Sequence, residues 1–399
     1  MPKTTNEKFF EALLAHQVGL LQVSATIRDK IVKELIATES EIRDKIRSRL
    51  LNHGSFRNSR DVLRLKTLRR LISKVRTVAW ENVEEIWLTE IRKIAENEPK
   101  FASMILRTVS PVILSINLPP NSVIDRIINT LPFEGKTLKQ WAQHQKQVDL
   151  DNIMSQIHIG MVQGESSAQI ARRVVVSSRS AANSVTKTSR RQAAAVTRTA
   201  INHIGNAVRR EFYLENENLF SWELYVATLD SRTTPICRSL DGNRYEIGKG
   251  PIPPLHWLCR SLRIAILDDQ VLGERPANPT TEKMLVGEFK AQNGITKPGS
   301  LRRHLPHGTK GQFDKFARTR KRQLIGRTPS QVTYSEWLKG QSASFQDDVL
   351  GPTRGRLFRS GQLTLDKFID RAGKPLTLEE LADRHAREFK AAGLDPANF

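Results

Sequence analysis

Residues 222–266 read WELYVATLDSRTTPICRSLDGNRYEIGKGPIPPLHWLCRSLRIAI, and the fold turns on how this stretch is read. Its two ends alternate, with Trp222, Leu224 and Val226 at one and Leu262, Ile264 and Ile266 at the other. A period of two is the mark of strands, so two strands are expected to flank a long turn-rich insertion. Inside the insertion, Asp241-Gly242-Asn243 is a hairpin signal between the Cys237 segment and Tyr245–Ile247. Pro251, Pro253 and Pro254 restrict the backbone to an extended lead into His256. The layout therefore draws Cys237, His256 and Cys259 toward one small antiparallel β-unit at about 219–268.

Three soft ligands with His256-x-x-Cys259 spacing can hold zinc, with Asp230 or Asp241 as a fourth ligand. The same residues also read as a reduced, buried thiol pair, as a disulfide formed outside the cell, or as a histidine that hydrogen-bonds the loop. Catalytic readings ask for more. A cysteine nucleophile needs an accessible, electropositive setting and an oriented base. A metal-dependent nuclease would place Asp230 on the ion and use His256 to position water, but no second acidic ligand or base motif accompanies them. The chain has two cysteines in 399 residues, which excludes a disulfide-rich scaffold and fits synthesis in a reducing cytoplasm.

Outward from the β-unit the period becomes helical. Ile27, Ile31, Leu35, Ile42, Ile46 and Leu50 predict one long helix that ends at Asn52-His53-Gly54-Ser55. Val62 to Val75 and Val83 to Ile94 predict two more, and such stripes are read as core packing. After Pro119-Pro120 a short helix is expected over Val123–Leu131, then a turn into a helix carrying Trp141, then two helices meeting near Gly160–Ser167. Residues 293–328 hold ten basic residues against the single Asp314, broken by Pro298, Gly299, Pro306, Gly308 and Gly311, and predict an irregular basic segment. Helices are expected again from Ser335, the last with Thr377 and Glu380 as a capping box. The fold class expected is α+β and mainly α-helical. Its parts are a helical region at 1–120, a domain at 121–268 containing the β-unit, a basic linker at 269–330 and a helical extension at 331–399.

Charge is the other informative feature. Lys and Arg number 63 against 42 Asp and Glu, a net charge of +21, which favours a polyanionic partner. From Arg172 to Arg210 there are nine basic residues and no acidic one. A solvated helix face mixes both signs, so a one-signed run points to an anion nearby. The DNA-contact candidates are Arg172, Arg173, Arg179, Lys187, Arg190, Arg191 and Arg198 in this run, and Arg302, Arg303, Lys310, Arg318, Arg320, Lys321 and Arg322 in the later segment. Aromatics are 6% of the chain and are not interleaved with the basic runs, which argues against a single-strand stacking platform. No secretory signal is evident, and the longest apolar stretch, Val112 to Leu118, falls far short of the roughly 20 residues that cross a bilayer. A protein without membrane contact is expected.

The motifs together resemble a known family. Ala227 to Cys237 with Asp230 and Arg232, then Leu240-Asp241-Gly242, then Pro253-Pro254-x-His256-x-x-Cys259-Arg260-Ser261, look like the signature of the Mu F-like phage head-morphogenesis domain. Arg198-Thr199-Ala200-Ile201-Asn202 resembles the family's Arg-Thr-x-x-Asn stretch. The likeness extends more weakly over 125–390. Many members carry Cys-Pro-x-Cys and Cys-Arg-Cys; here Thr234 and Ser261 stand in place of two of those cysteines, so a four-cysteine site cannot form.

The resemblance implies a minor capsid component made in a host bacterium. It would lie inside the virion near the portal vertex, in several copies, and act in assembly, packaging or ejection. Its implied partners are the portal protein, with scaffold or major capsid protein, and double-stranded DNA bound non-specifically. It would not be an enzyme. Two alternatives stand beside this: a metal-dependent nuclease or transferase built on the Cys/His/Asp cluster, and a plain non-specific DNA-binding protein.

Overall fold

The computed structural model describes residues 3–50, 59–175, 184–267 and 273–399, with side chains from 63 onward in the second stretch. The expected helix end at Asn52–Ser55 and the DNA-contact candidate Arg179 lie outside the described residues.

The N-terminal half is helical: α1 (Thr5–Ala37), α2 (Glu39–Arg49), α3 (Ser59–Val109), α4 (Asn121–Thr130), α5 (Leu138–Val162), α6 (Ser167–Val174) and α7 (Val185–Leu214). Capping boxes at Thr4/Glu7, Thr137/Gln140 and Ser166/Gln169 start α1, α5 and α6 by satisfying their first free amides. Two expectations change. The stripe from Ile27 to Leu50 is two helices broken at Thr38, where the buried Arg76 guanidinium donates to the Leu35 carbonyl and the Thr38 hydroxyl. A helix can end inside a core only when its last carbonyls find such donors. Conversely, the stripes at 62–75 and 83–94 are one helix, α3, which runs past Pro99 without interruption. Ile27, Ile31 and Leu35 of α1 pack with Trp80, Trp87 and Ile91 of α3 and with Val196, Ala200 and Ile204 of α7.

The β-unit is β1 (Trp222–Val226), β2 (Leu229–Asp230), α8 (Pro235–Leu240), β3 (Arg244–Tyr245) and β4 (Leu262–Ile266). As expected, the two outer strands pair antiparallel, from Trp222↔Ile266 to Val226↔Leu262, in a sheet of order β3-β1-β4. Both faces are buried rather than one. Trp222, Leu224 and Val226 pack with Phe9, Phe10 and Phe212 from the helices, while Tyr225 on the other face packs against Cys237 and Cys259. The hairpin reading is corrected: the Cys237 segment is the helix α8, with Pro235 in its first turn, and β3 pairs with β1 instead. Gly242, at φ 84, still makes the tight turn.

The segment expected to be an irregular basic linker is largely structured. It contributes β5 (Glu274–Asn278), α9 (Glu282–Gln292), α10 (Lys310–Gln323) and β6 (Gly326–Pro329), and a second sheet of order β2-β5-β6. Leu285, Phe289, Leu305 and Phe313 form a small core between α9 and α10, so the scattered glycines and prolines mark the loop between them rather than a lack of order. The chain ends in α11 (Tyr334–Lys339), α12 (Ala343–Leu350), α13 (Pro352–Arg359), α14 (Leu378–Arg384) and α15 (Ala386–Ala391). Trp337, Leu338, Phe358, Leu381 and Phe389 build their core, joined by Leu229 of β2, and the capping box at Thr377/Glu380 is present. The architecture is mainly α-helical α+β. No helix among the described residues is long and apolar enough to cross a membrane.

Candidate functional site

Cys237 sits in the first turn of α8, and His256 and Cys259 lie on the loop that enters β4. The fold brings them together: the two sulfurs are 3.8 Å apart, and His256 Nε2 is 3.3 Å from the Cys237 sulfur. One ligand atom from each of the three falls within 4.8 Å of the others. Both cysteines are buried and free. Tyr225, from the β1 face above, places its hydroxyl 3.3 Å from the Cys237 sulfur. His256 Nδ1 lies 2.8 Å from the Trp257 carbonyl, so this nitrogen donates to it while Nε2 faces the Cys237 sulfur.

The loop geometry that permits this is strained at one residue. Leu258 adopts φ 62, a left-handed conformation unusual for a side chain of its size, and its amide donates to the Thr199 hydroxyl of α7 at 3.0 Å. The turn points Cys259 inward while Leu258 itself is exposed.

The electrostatics make the pair of thiols unequal. The hydrogen bond between the sulfurs lowers the Cys237 pKa against the opposing effect of burial, and His256 adds to the lowering. The same hydrogen bond, together with burial, raises Cys259. Burial pulls the His256 pKa down, but its contact with Cys237 outweighs this and leaves it raised.

The three residues fit a tetrahedral zinc ion. Two thiolates each about 2.3 Å from zinc at tetrahedral angles lie about 3.8 Å apart, the separation found here. A ligating imidazole donates its other nitrogen to a carbonyl, as His256 does to Trp257. The expected fourth ligand is corrected. Asp230 is held by both amino groups of Arg260, at 2.5 and 2.7 Å, and Asp241 by Arg275 at 2.5 and 3.1 Å. Asp241 also accepts from the Ala227 and Tyr334 amides at 2.6 Å, so it ties β1 to α11 and is not available to an ion. Thr234 and Ser261 border the Cys237 sulfur.

The remaining motif residues are structural in their contacts. Burial would raise the Asp230 pKa, but hydrogen bonds and the charges of Arg260 and Arg232 hold it down at about 2. Arg232 is exposed, 3.3 Å from Asp230. Pro254 follows a cis peptide bond in the lead to His256. At Gly242 a Cβ would come within 2.6 Å of Thr333.

Several of the basic candidates are engaged by acids. Arg173 is paired with Glu165, Arg190 lies 3.7 Å from Glu39, Arg302 binds Asp314 through two nitrogens, and Arg320 pairs with Glu288. Arg172, Arg191, Arg303, Arg318 and Arg322 are exposed, while Lys187, Lys310, Arg198 and Lys321 are half-buried. Sequence reasoning missed Tyr225 as a partner of Cys237, although strand alternation already placed it opposite the Trp222–Leu224–Val226 face. It also missed Arg275 as the cation on Asp241, for which a partner 34 residues away leaves no local signal.

Residues 151–264 match the sequence profile described as Phage Mu protein F like protein, a span that runs from within α5 to within β4 and contains the whole Cys/His unit. No curated protein and no solved structure matches the chain. The matched span includes every motif of the β-unit from Asp230 to Arg260, so this part of the chain is similar to Phage Mu protein F and carries a Mu F-like domain.

Proposed function

We propose that the protein is a minor head component of a tailed bacteriophage. In this reading it sits inside the capsid near the portal vertex, with portal protein and scaffold or major capsid protein as neighbours. It contacts packaged double-stranded DNA without sequence preference during assembly, packaging or ejection. The Mu F-like match over 151–264 is the observation that carries the reading. The net charge of +21 and the exposed Arg172, Arg191, Arg318 and Arg322 support the DNA contact, because phosphate neutralisation releases counterions whatever the sequence. Mass spectrometry of purified proheads and virions tests the placement: the chain should be present at a fixed ratio to portal subunits. Absence from both particles would overturn it.

The Cys237–His256–Cys259 group is read as a zinc-bound brace of the β-unit, with a non-catalytic role. Support comes from the spacing of the three ligand atoms and the carbonyl behind His256. The burial of both sulfurs favours a brace over a working centre, and Asp230, engaged by Arg260, is not free to act as a base beside the ion. Elemental analysis of purified protein should find about one zinc per chain, and Cys259→Ala should lose both zinc and thermal stability. A zinc-dependent phosphodiesterase activity that disappears in a folded His256→Ala variant would replace this reading with the enzymatic one.

A further inference from the structure

The two basic stretches of the chain are far apart in sequence, yet one member of each lies within electrostatic reach of the same residues, Asp230 and Arg232. Arg198 lies on α7, and Lys321 lies in the last turn of α10. Between them stand Asp230 and its bidentate partner Arg260, with Arg232 at the mouth. The scaffold is continuous: Asp230 of β2 is paired with Asn278 of β5, and the Asn278 side chain donates to the Lys321 carbonyl at 2.9 Å. On the other side, Thr199 next to Arg198 accepts from the Leu258 amide, two residues before Arg260.

The charges here do not balance. Asp230 is the carboxylate within the group, and both of its oxygens are taken by Arg260. That leaves Arg198, Arg232 and Lys321 in excess. Glu282, which acts on Lys321, already accepts from the Arg302 amide at 2.7 Å, and Arg28, which acts on Arg198, is paired with Asp29 at 2.7 Å. The Nε of Arg198 is buried and has no hydrogen-bond partner. Burial together with the positive charges of Arg260 and Arg232 pulls its pKa down, as expected of a cation that lacks a counter-ion. A buried guanidinium with an unmet donor is costly unless an anion completes it, and its planar fork matches an oxyanion.

We propose that Arg198, Arg232 and Lys321, set around the Asp230–Arg260 pair, form a phosphate-binding site that takes a backbone phosphate of double-stranded DNA. The choice of DNA as the source rests on the proposed function; the site itself rests on the cluster. Arg28, Arg232 and Arg260 lie outside both one-signed runs, so the site is assembled by the fold and is not a local property of either run. It would anchor the domain's β-unit and α10 to the same stretch of duplex.

The test uses the full chain and a 30-base-pair duplex of mixed sequence, with binding measured over a salt series. Arg232→Gln/Lys321→Gln removes two cations without touching the half-buried Arg198; Arg198→Gln and Arg198→Lys follow, with melting curves to establish folding. The double variant should bind at least tenfold more weakly, with the slope of log K against log salt reduced by about 1. A control, Arg371→Gln/Lys374→Gln in the exposed C-terminal region, should change affinity less than twofold. Inorganic phosphate should compete with the duplex for the wild type more than for the double variant. Duplex binding that is the same in the double variant and the control would overturn the site while leaving DNA contact standing. No duplex binding by the wild type would overturn both. Binding of poly-glutamate but not of duplex, lost in the same variant, would reassign the cluster to an acidic protein partner and overturn the phosphate assignment.

Discussion

At the scale of single residues, two backbone positions of the β-unit hold left-handed conformations, Leu258 and Gly242. Leu258 is exposed and sits at φ 62, which costs an L-residue about 1 kcal/mol relative to its ordinary conformations. Leu258→Gly should therefore leave stability equal or raise it by up to about 1 kcal/mol in a urea melt, because little packing is lost. Gly242 presents the opposite case. It also holds a positive φ, and a Cβ there would press on Thr333 at 2.6 Å, just before α11. Gly242→Ala should destabilise by about 1–2 kcal/mol or more, since strain and overlap act together. The Asp241-Gly242 turn was legible in the sequence because the residue types announce it. Leu258 was not, since nothing in a leucine signals a left-handed backbone; Thr199 of α7 meets its amide only in the folded chain.

At the scale of elements, the helices are joined by buried ion pairs that sequence patterns do not show. Asp149 of α5 accepts from Arg76 Nε at 2.6 Å and Trp80 Nε1 at 2.9 Å, both on α3, and from the Ser189 hydroxyl of α7 at 2.5 Å. Glu98 of α3 accepts from Arg209 of α7 at 2.8 Å and contacts His16 of α1. Both acids are about 1% exposed. Removing one member of such a pair leaves an uncompensated charge in the core, so Asp149→Ala should cost about 3–5 kcal/mol by chemical denaturation. Replacing a surface pair such as Arg69–Asp151 should cost under about 1 kcal/mol. These contacts also explain part of the one-signed run. Arg173, Arg190 and Arg209 find Glu165, Glu39 and Glu98, each from outside the run, so lack of a neighbouring acid in sequence did not mean lack of one in space. The run's exposed members, Arg172 and Arg191, are the ones left for the proposed DNA contact.

At the scale of the whole molecule, pH should act through groups held away from their ordinary titration. Burial pushes the His203 pKa down to about 4, against the opposing effect of a Leu131 backbone contact. Above pH 6.5 the ring is neutral both folded and unfolded, and the group has no effect. Between 6.5 and 4 the unfolded chain binds a proton that the folded chain refuses, so stability falls as pH falls, and the loss saturates below 4. Asp230, held at about 2, adds a loss of stability in a lower window, from about 3.8 downward. Urea melts between pH 7 and 4.5 should show a decline that His203→Gln flattens. A decline of the same slope in that variant would assign it to other groups.

The sequence by itself determined the period of the strands and most helices, the caps at Ser166 and Thr377, the Mu F-like motif and the excess of positive charge. These are local properties, set by side-chain spacing, capping chemistry and composition. Only the tertiary structure decided where charges meet: Arg260 on Asp230, Arg275 on Asp241 and Arg209 on Glu98. It also showed that 273–329 holds strands and helices, because Phe289 and Phe313 bury each other across a glycine-rich loop. The physical reason is common to all of these. Backbone preference falls off within a turn of chain, whereas ion pairing and burial depend on distances that only the packed fold establishes.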